Sequence, residues 1–136
     1  MTLTASRGGS KERSHELALE LEPQLDAGHR TREAIRARLG WLPERTANDL
    51  LAVVTELVNN AVIHGPGKPI QIQIAVDDDR HIRGEVSDEG QGRVAIRELA
   101  ADRTGGGFGL RIVDGLTDRW GAYEGSTRIW FEMRFA

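Results

Sequence analysis

Between residues 70 and 76, isoleucine or valine takes every even position, Ile70, Ile72, Ile74 and Val76, while Gln71, Gln73 and Ala75 fill the odd ones. Successive strand side chains point to opposite faces, so this segment satisfies both sets only with one face on a core and the other in water. Strands of a parallel sheet covered on both faces read instead as continuous apolar runs. The expectation is therefore an antiparallel sheet with helices on one side.

The remaining elements fit that frame. Leu17, Leu19 and Leu21 alternate along a first strand running from His15 to Pro23. Asp77-Asp78-Asp79 turns the chain into a return strand from His81 to Asp88, in which Ile82, Gly84, Val86 and then Asp88 share the buried phase. Two closing strands are predicted over Asp118 to Glu124 and Thr127 to Phe135, with Ile129, Phe131, Met133 and Phe135 inward.

Helical spacing links Leu25, Arg32, Ile35 and Leu39 up to Gly40, where a residue tolerant of positive φ suits a helix C-terminus. Pro43 opens a second helix as its first residue, and Gly65-Pro66-Gly67 stops it after His64. Its apolar arc is Leu50, Val53, Val54, Leu57, Val58 and Ala61. A helix-like segment covers residues 93 to 101, and Phe108, Ile112 and Leu116 space out another helix. Together these predict an α+β fold: a two-layer α/β sandwich whose sheet is mixed but mostly antiparallel, with helices on one face. Residues 1–13 read as a disordered tail, and 14–136 as one domain.

Composition narrows the chemistry. The absence of cysteine removes disulfides, zinc-thiolate sites and thiol nucleophiles, which fits a cytoplasmic location. A net charge of −3 provides no global basic field for nucleic acid or anionic lipid. No apolar run reaches the roughly 18 residues of a membrane span, so neither a nucleic-acid nor a membrane partner is expected. Seven of the sixteen glycines lie between Gly84 and Gly109.

Three constellations carry potential chemistry. Glu56, Asn60 and His64 recur every four residues along one side of the second helix, at the edge of its apolar arc. They could be an ordinary polar rim or a partly desolvated ligand site. Asp88-Glu89-Gly90-Gln91-Gly92 ends a strand with a carboxylate in the buried phase, which demands a donor. An adenine amine would serve, as would the backbone of a tight turn. Gly105-Gly106-Gly107-Phe108-Gly109 precedes the helical run from Leu110 to Leu116, an arrangement suited to phosphate oxygens or simply a flexible loop. It is no Walker A loop, because no Lys-Ser or Lys-Thr follows, and it leaves no first strand of a Rossmann unit.

In this order, followed by Gly125-Ser126-Thr127 before the last strand, the three resemble the GHKL (Bergerat-fold) ATPases over residues 15 to 136. The wording Glu-Leu-Val-Asn-Asn-Ala-Val-Ile-His-Gly, with Asp118-Arg119-Trp120-Gly121 and Trp130-Phe131-Glu132, is most similar to the bacterial anti-sigma factor serine/threonine kinases. That resemblance implies ATP and Mg²⁺ as cofactors, with Asn60 on the metal that bridges the phosphates and Glu56 as general base. It implies that Asp88 accepts from the adenine amine, with Thr127 sharing a water beneath the base. Gly90 and Gly92 would admit the base, and Gly105, Gly107, Phe108, Gly109 and Leu110 would wrap the phosphates, with His64 nearby. The residue meeting the γ-phosphate stays open among Lys68, Arg93, Arg97 and Arg103. The implied partners are a sigma factor, an anti-sigma factor antagonist as phosphorylation substrate, and a second copy in a homodimer. The alternative is a non-catalytic module switched by ATP and ADP. Trp41, Trp120 and Trp130 are too dispersed for a base-stacking platform and read as core and rim packing.

Overall fold

The computed structural model of the protein describes residues 15–88, 110–123 and 128–136. Strand β1 (His15–Leu21) leads into helices α1 (Ala27–Leu39) and α2 (Glu44–His64). The hairpin β2 (Ile70–Val76) and β3 (His81–Ser87) follows, then the short helix α3 (Leu110–Leu116) and strands β4 (Arg119–Ala122) and β5 (Ile129–Arg134). The expected tail, the helix-like segment at 93 to 101 and the glycine run at 105 to 109 lie outside the described residues.

The five strands form one sheet in the order β1-β2-β3-β5-β4, and every pairing among the described residues is antiparallel. The sequence expectation of a mixed sheet is thus narrowed to an antiparallel one. In β2 burial alternates strictly, with the isoleucines and Val76 inward and Gln71, Gln73 and Ala75 outward. Pairing Leu17 with Ile74 and Leu19 with Ile72 lines the apolar sets of neighbouring strands across one face. That face is covered by the helices, as Leu50, Val53, Val54, Leu57 and Val58 of α2 join the sheet residues in one core. No helix among the described residues is long and apolar enough to cross a membrane.

Phe131 is fully buried and pairs with Gly84 across β3 and β5. A Cβ on Gly84 would stand 2.3 Å from the ring, so the absence of a side chain there makes room for the aromatic. The β2–β3 turn is held by the Asp77 carboxylate, whose Oδ1 accepts from the backbone N–H groups of Asp79 at 2.9 Å and His81 at 3.2 Å. Arg80 completes the turn at φ 59°. β1 forms one edge of the sheet, and Arg38 on α1 donates to the Glu16 carbonyl at 3.1 Å.

Several local expectations are corrected. Leu25 is 96% exposed and precedes α1, in which Ile35 and Leu39 are buried as their spacing predicts, together with Ala27, Gly28, Thr31 and Ala34. Gly40 sits at φ −65°, so conformation does not require glycine there; a Cβ would meet the Arg36 carbonyl oxygen at 2.5 Å. Pro43 occupies the N-cap of α2 with extended ψ, one residue before the helix begins. In α3 Leu110 and Val113 are buried and Leu116 packs partly buried against the core, while Ile112, expected inward, is exposed because this helix docks on α2 through Leu110 and Val113; Phe108 lies outside the described residues. Trp41 is half exposed and tilts against His15 at 4.6 Å, and the Trp120 Nε1–H donates to Asp114 at 2.9 Å.

Candidate functional site

The second half of α2 carries Glu56 and Asn60, both half-buried, and His64, which is exposed at the end of the helix. Their gradient of burial follows from position: the residues flank the buried positions Leu57 and Val58 and run outward as the helix leaves the core. The helix ends by donating the Gly65 N–H to the Ala61 carbonyl at 2.9 Å, and Pro66 then prevents continuation.

Asp88 follows the last residue of β3. The strand buries Ile82, Gly84 and Val86, and Asp88 continues that phase at 8% exposure. A carboxylate so placed gives up most of its hydration and requires compensating donors. Asn60, His64 and Asp88 each take part in polar or electrostatic interactions within the protein.

The helix and strand constellations meet at Gly65. A Cβ built there would lie 2.7 Å from Asp88 Oδ2, so the carboxylate rests directly against the terminal turn of α2. Residues 23 apart in sequence thus place an acidic acceptor beside the helix end that carries Asn60 and His64. Periodicity finds Asp88 and Asn60 separately, but marks Gly65 only as a helix stop. The close contact had no local signal.

From the third constellation, Leu110 is described: its side chain is buried in the core, leaving only its backbone available to a ligand. Gly90, Gly92, Gly105, Gly107, Phe108, Gly109 and Thr127 lie outside the described residues, as do Arg93, Arg97 and Arg103. Lys68 is exposed in the loop before β2.

Among the described residues no group of three His, Asp or Glu side chains could hold a metal ion. Mg²⁺ carried by a nucleotide needs no such group, because phosphates and water supply most of its oxygens and the protein adds one or two. The Asn60 side-chain carbonyl is an oxygen donor of that kind.

Charge chemistry on the opposite face of the sheet is of another sort. Burial pushes the Glu132 carboxyl up, but the hydrogen bond from Arg119 and the neighbouring charges of Arg119, His81 and Arg83 outweigh it and leave it lowered. The Arg119 Nη2–H donates to Glu132 at 2.9 Å, and Arg83 stands 3.6 Å away. A hydrogen bond with Tyr123 raises Arg83 above its ordinary range, against the lowering effect of burial. This network ties β3, β5 and β4 together on the face away from the helices.

The family model for the histidine kinase-like ATPase domain matches residues 17–134. Among solved structures, the chain is similar to the RsbU and RsbW domains of Rv1364c from Mycobacterium tuberculosis, with a TM-score of 0.64 at 20% identity. That similarity covers 87% of this chain and 30% of the other, and at such identity it speaks to the fold. No curated protein matches the chain.

Proposed function

Because the chain belongs to the histidine kinase-like ATPase domain family, we propose that it binds Mg·ATP between α2 and the end of β3 and transfers the γ-phosphoryl group to a serine or threonine of an anti-sigma factor antagonist. The observation that carries the reading is the buried Asp88 carboxylate resting against Gly65, at the helix end bearing Asn60. An acceptor of this kind pairs with the exocyclic amine of adenine, and the phosphates then extend along the polar edge of α2. Thr127 and the glycines at 90, 92, 105, 107 and 109, with Phe108, complete the site on this reading, through their backbone where the phosphates pass.

Asn60 would hold the Mg²⁺, which when bound neutralises charge on the β- and γ-phosphates. Glu56, four residues earlier on the same side of α2, accepts the proton of the attacking hydroxyl. The hydroxyl oxygen bonds to the γ-phosphorus, the bond from that phosphorus to the β,γ-bridging oxygen breaks, and ADP leaves. His64 lies one further turn along the same edge, next to Gly65. Sigma-factor sequestration in the cytoplasm, and a homodimer using the β1 edge, complete the proposal.

A single-turnover assay with γ-labelled ATP and a candidate antagonist tests it. Wild type should place label on serine or threonine, and Glu56→Ala should bind ATP but transfer none. If wild type binds ATP and transfers nothing, the protein is a nucleotide-switched interaction module and the kinase reading fails.

A further inference from the structure

We infer that Gly65 is the positioning residue for the Asp88 carboxylate: by presenting only hydrogen toward Oδ2, it fixes where the base acceptor stands relative to Asn60 and so sets selectivity for the adenine amine. The inference rests on the proposed role of Asp88. It concerns a residue that backbone conformation alone would not require to be glycine.

Gly65 and Gly67 both follow α2 but are glycine for different reasons. Gly67 sits at φ +85° with nothing within 4 Å of a built Cβ, so conformation demands glycine there and space does not. Gly65 has the ordinary extended backbone, φ −80° and ψ 176°, open to any residue. What excludes a side chain at 65 is crowding: a Cβ would stand 2.3 Å from the Ala61 carbonyl oxygen and 2.7 Å from Asp88 Oδ2.

Alanine there strains both contacts at once. The last turn of α2 must draw the Ala61 carbonyl away from the new Cβ, disturbing the hydrogen bond from Gly65, and Asp88 Oδ2 must recede by about 0.7 Å to reach an ordinary 3.4 Å contact. The carboxylate is 8% exposed and already engaged in polar interactions, so it has little room to swing freely. These movements change the separation between the acceptor at the base end and Asn60 at the phosphate end. Hydrogen bonds weaken steeply with a displacement of that size.

The test compares ATP with purine riboside triphosphate, which lacks the 6-amino group, by calorimetry on the full chain. In the wild type the missing amine should weaken binding about tenfold or more, because a hydrogen bond to a buried, charged acceptor is lost. Gly65→Ala should bring that ratio close to one. Asp88→Ala should do the same, and adding Gly65→Ala to Asp88→Ala should change it no further. Gly67→Ala strains the same loop without touching Asp88 and should lower the melting temperature while keeping the ratio.

If Asp88→Ala leaves the ratio intact, the adenine-acceptor reading itself fails. If Asp88→Ala removes it and Gly65→Ala does not, only the positioning role is overturned. Should Gly65→Ala melt too low to assay, the double variant decides. A fall in melting temperature smaller in the double variant than the sum of the two single falls supports the contact with Asp88, and simple addition of the two refutes it.

Discussion

Replacing Gly84 by alanine should be among the costliest single-methyl additions in this chain. The new Cβ would fall 2.3 and 2.5 Å from two carbons of the Phe131 ring, so the ring or the strand must move by about 1.1 Å to regain 3.4 Å. Phe131 has no exposed surface, and its neighbours belong to the continuous core, so no empty space receives it. Overpacking of this sort costs about 1–3 kcal/mol, and the full burial of both residues places Gly84→Ala near the upper end. In a chain of this length that corresponds to a fall in Tm of roughly 6–12 °C. Urea denaturation of the wild type, Gly84→Ala, Phe131→Leu and the double variant measures the coupling. Phe131→Leu leaves a cavity on its own and should cost about 1–2 kcal/mol, yet in the Gly84→Ala background the smaller side chain should recover at least about 1 kcal/mol. Simple addition of the two costs, or a Gly84→Ala cost below about 0.5 kcal/mol, would refute the packing argument.

Two further substitutions probe polar groups. The lowered carboxyl of Glu132 contributes stability that is fully present above its ordinary value of 4.5 and is lost as pH falls through the lower folded-state value. Glu132→Gln should therefore lower Tm at neutral pH by the equivalent of under about 1 kcal/mol, since Arg119 is largely exposed. The difference from wild type should shrink below pH 4.5, and a gap that persists in acid would contradict the charge argument. The Thr55 hydroxyl is buried without a hydrogen-bond partner among the described residues. Thr55→Val should be neutral or stabilise by up to about 1 kcal/mol in thermal melts, and a clear loss would reveal a partner for that hydroxyl.

What the sequence made legible follows the range of the forces involved. Alternation in β2 and β3 is local, so the one-sided sheet and the inward phase of Asp88 could be read from spacing alone. The apolar arc of α2 is equally local and its burial follows the wheel. Phase was lost in α3, where seven residues span barely two turns and docking on α2 selects Leu110 and Val113 over Ile112. Leu25 misled in the same way, as an apolar residue left outside the helix that its spacing suggested. The insertion of β5 between β3 and β4, the room Gly84 leaves for Phe131 and the approach of Asp88 to Gly65 all depend on tertiary pairing. No periodicity encodes them. The order of the three constellations nevertheless pointed to the family to which the chain belongs.

The central claim is that the buried carboxylate of β3's exit and the amide of α2 grip one adenine nucleotide from its two ends. Calorimetric titration of ATP with Mg²⁺ into the full chain, repeated with Asp88→Asn and Asn60→Ala, tests it most directly. Saturable binding by the wild type, weakened about ten- to hundredfold by either substitution, is the predicted result. No heat of binding from the wild type at millimolar ATP, or undiminished affinity in Asp88→Asn, would contradict it.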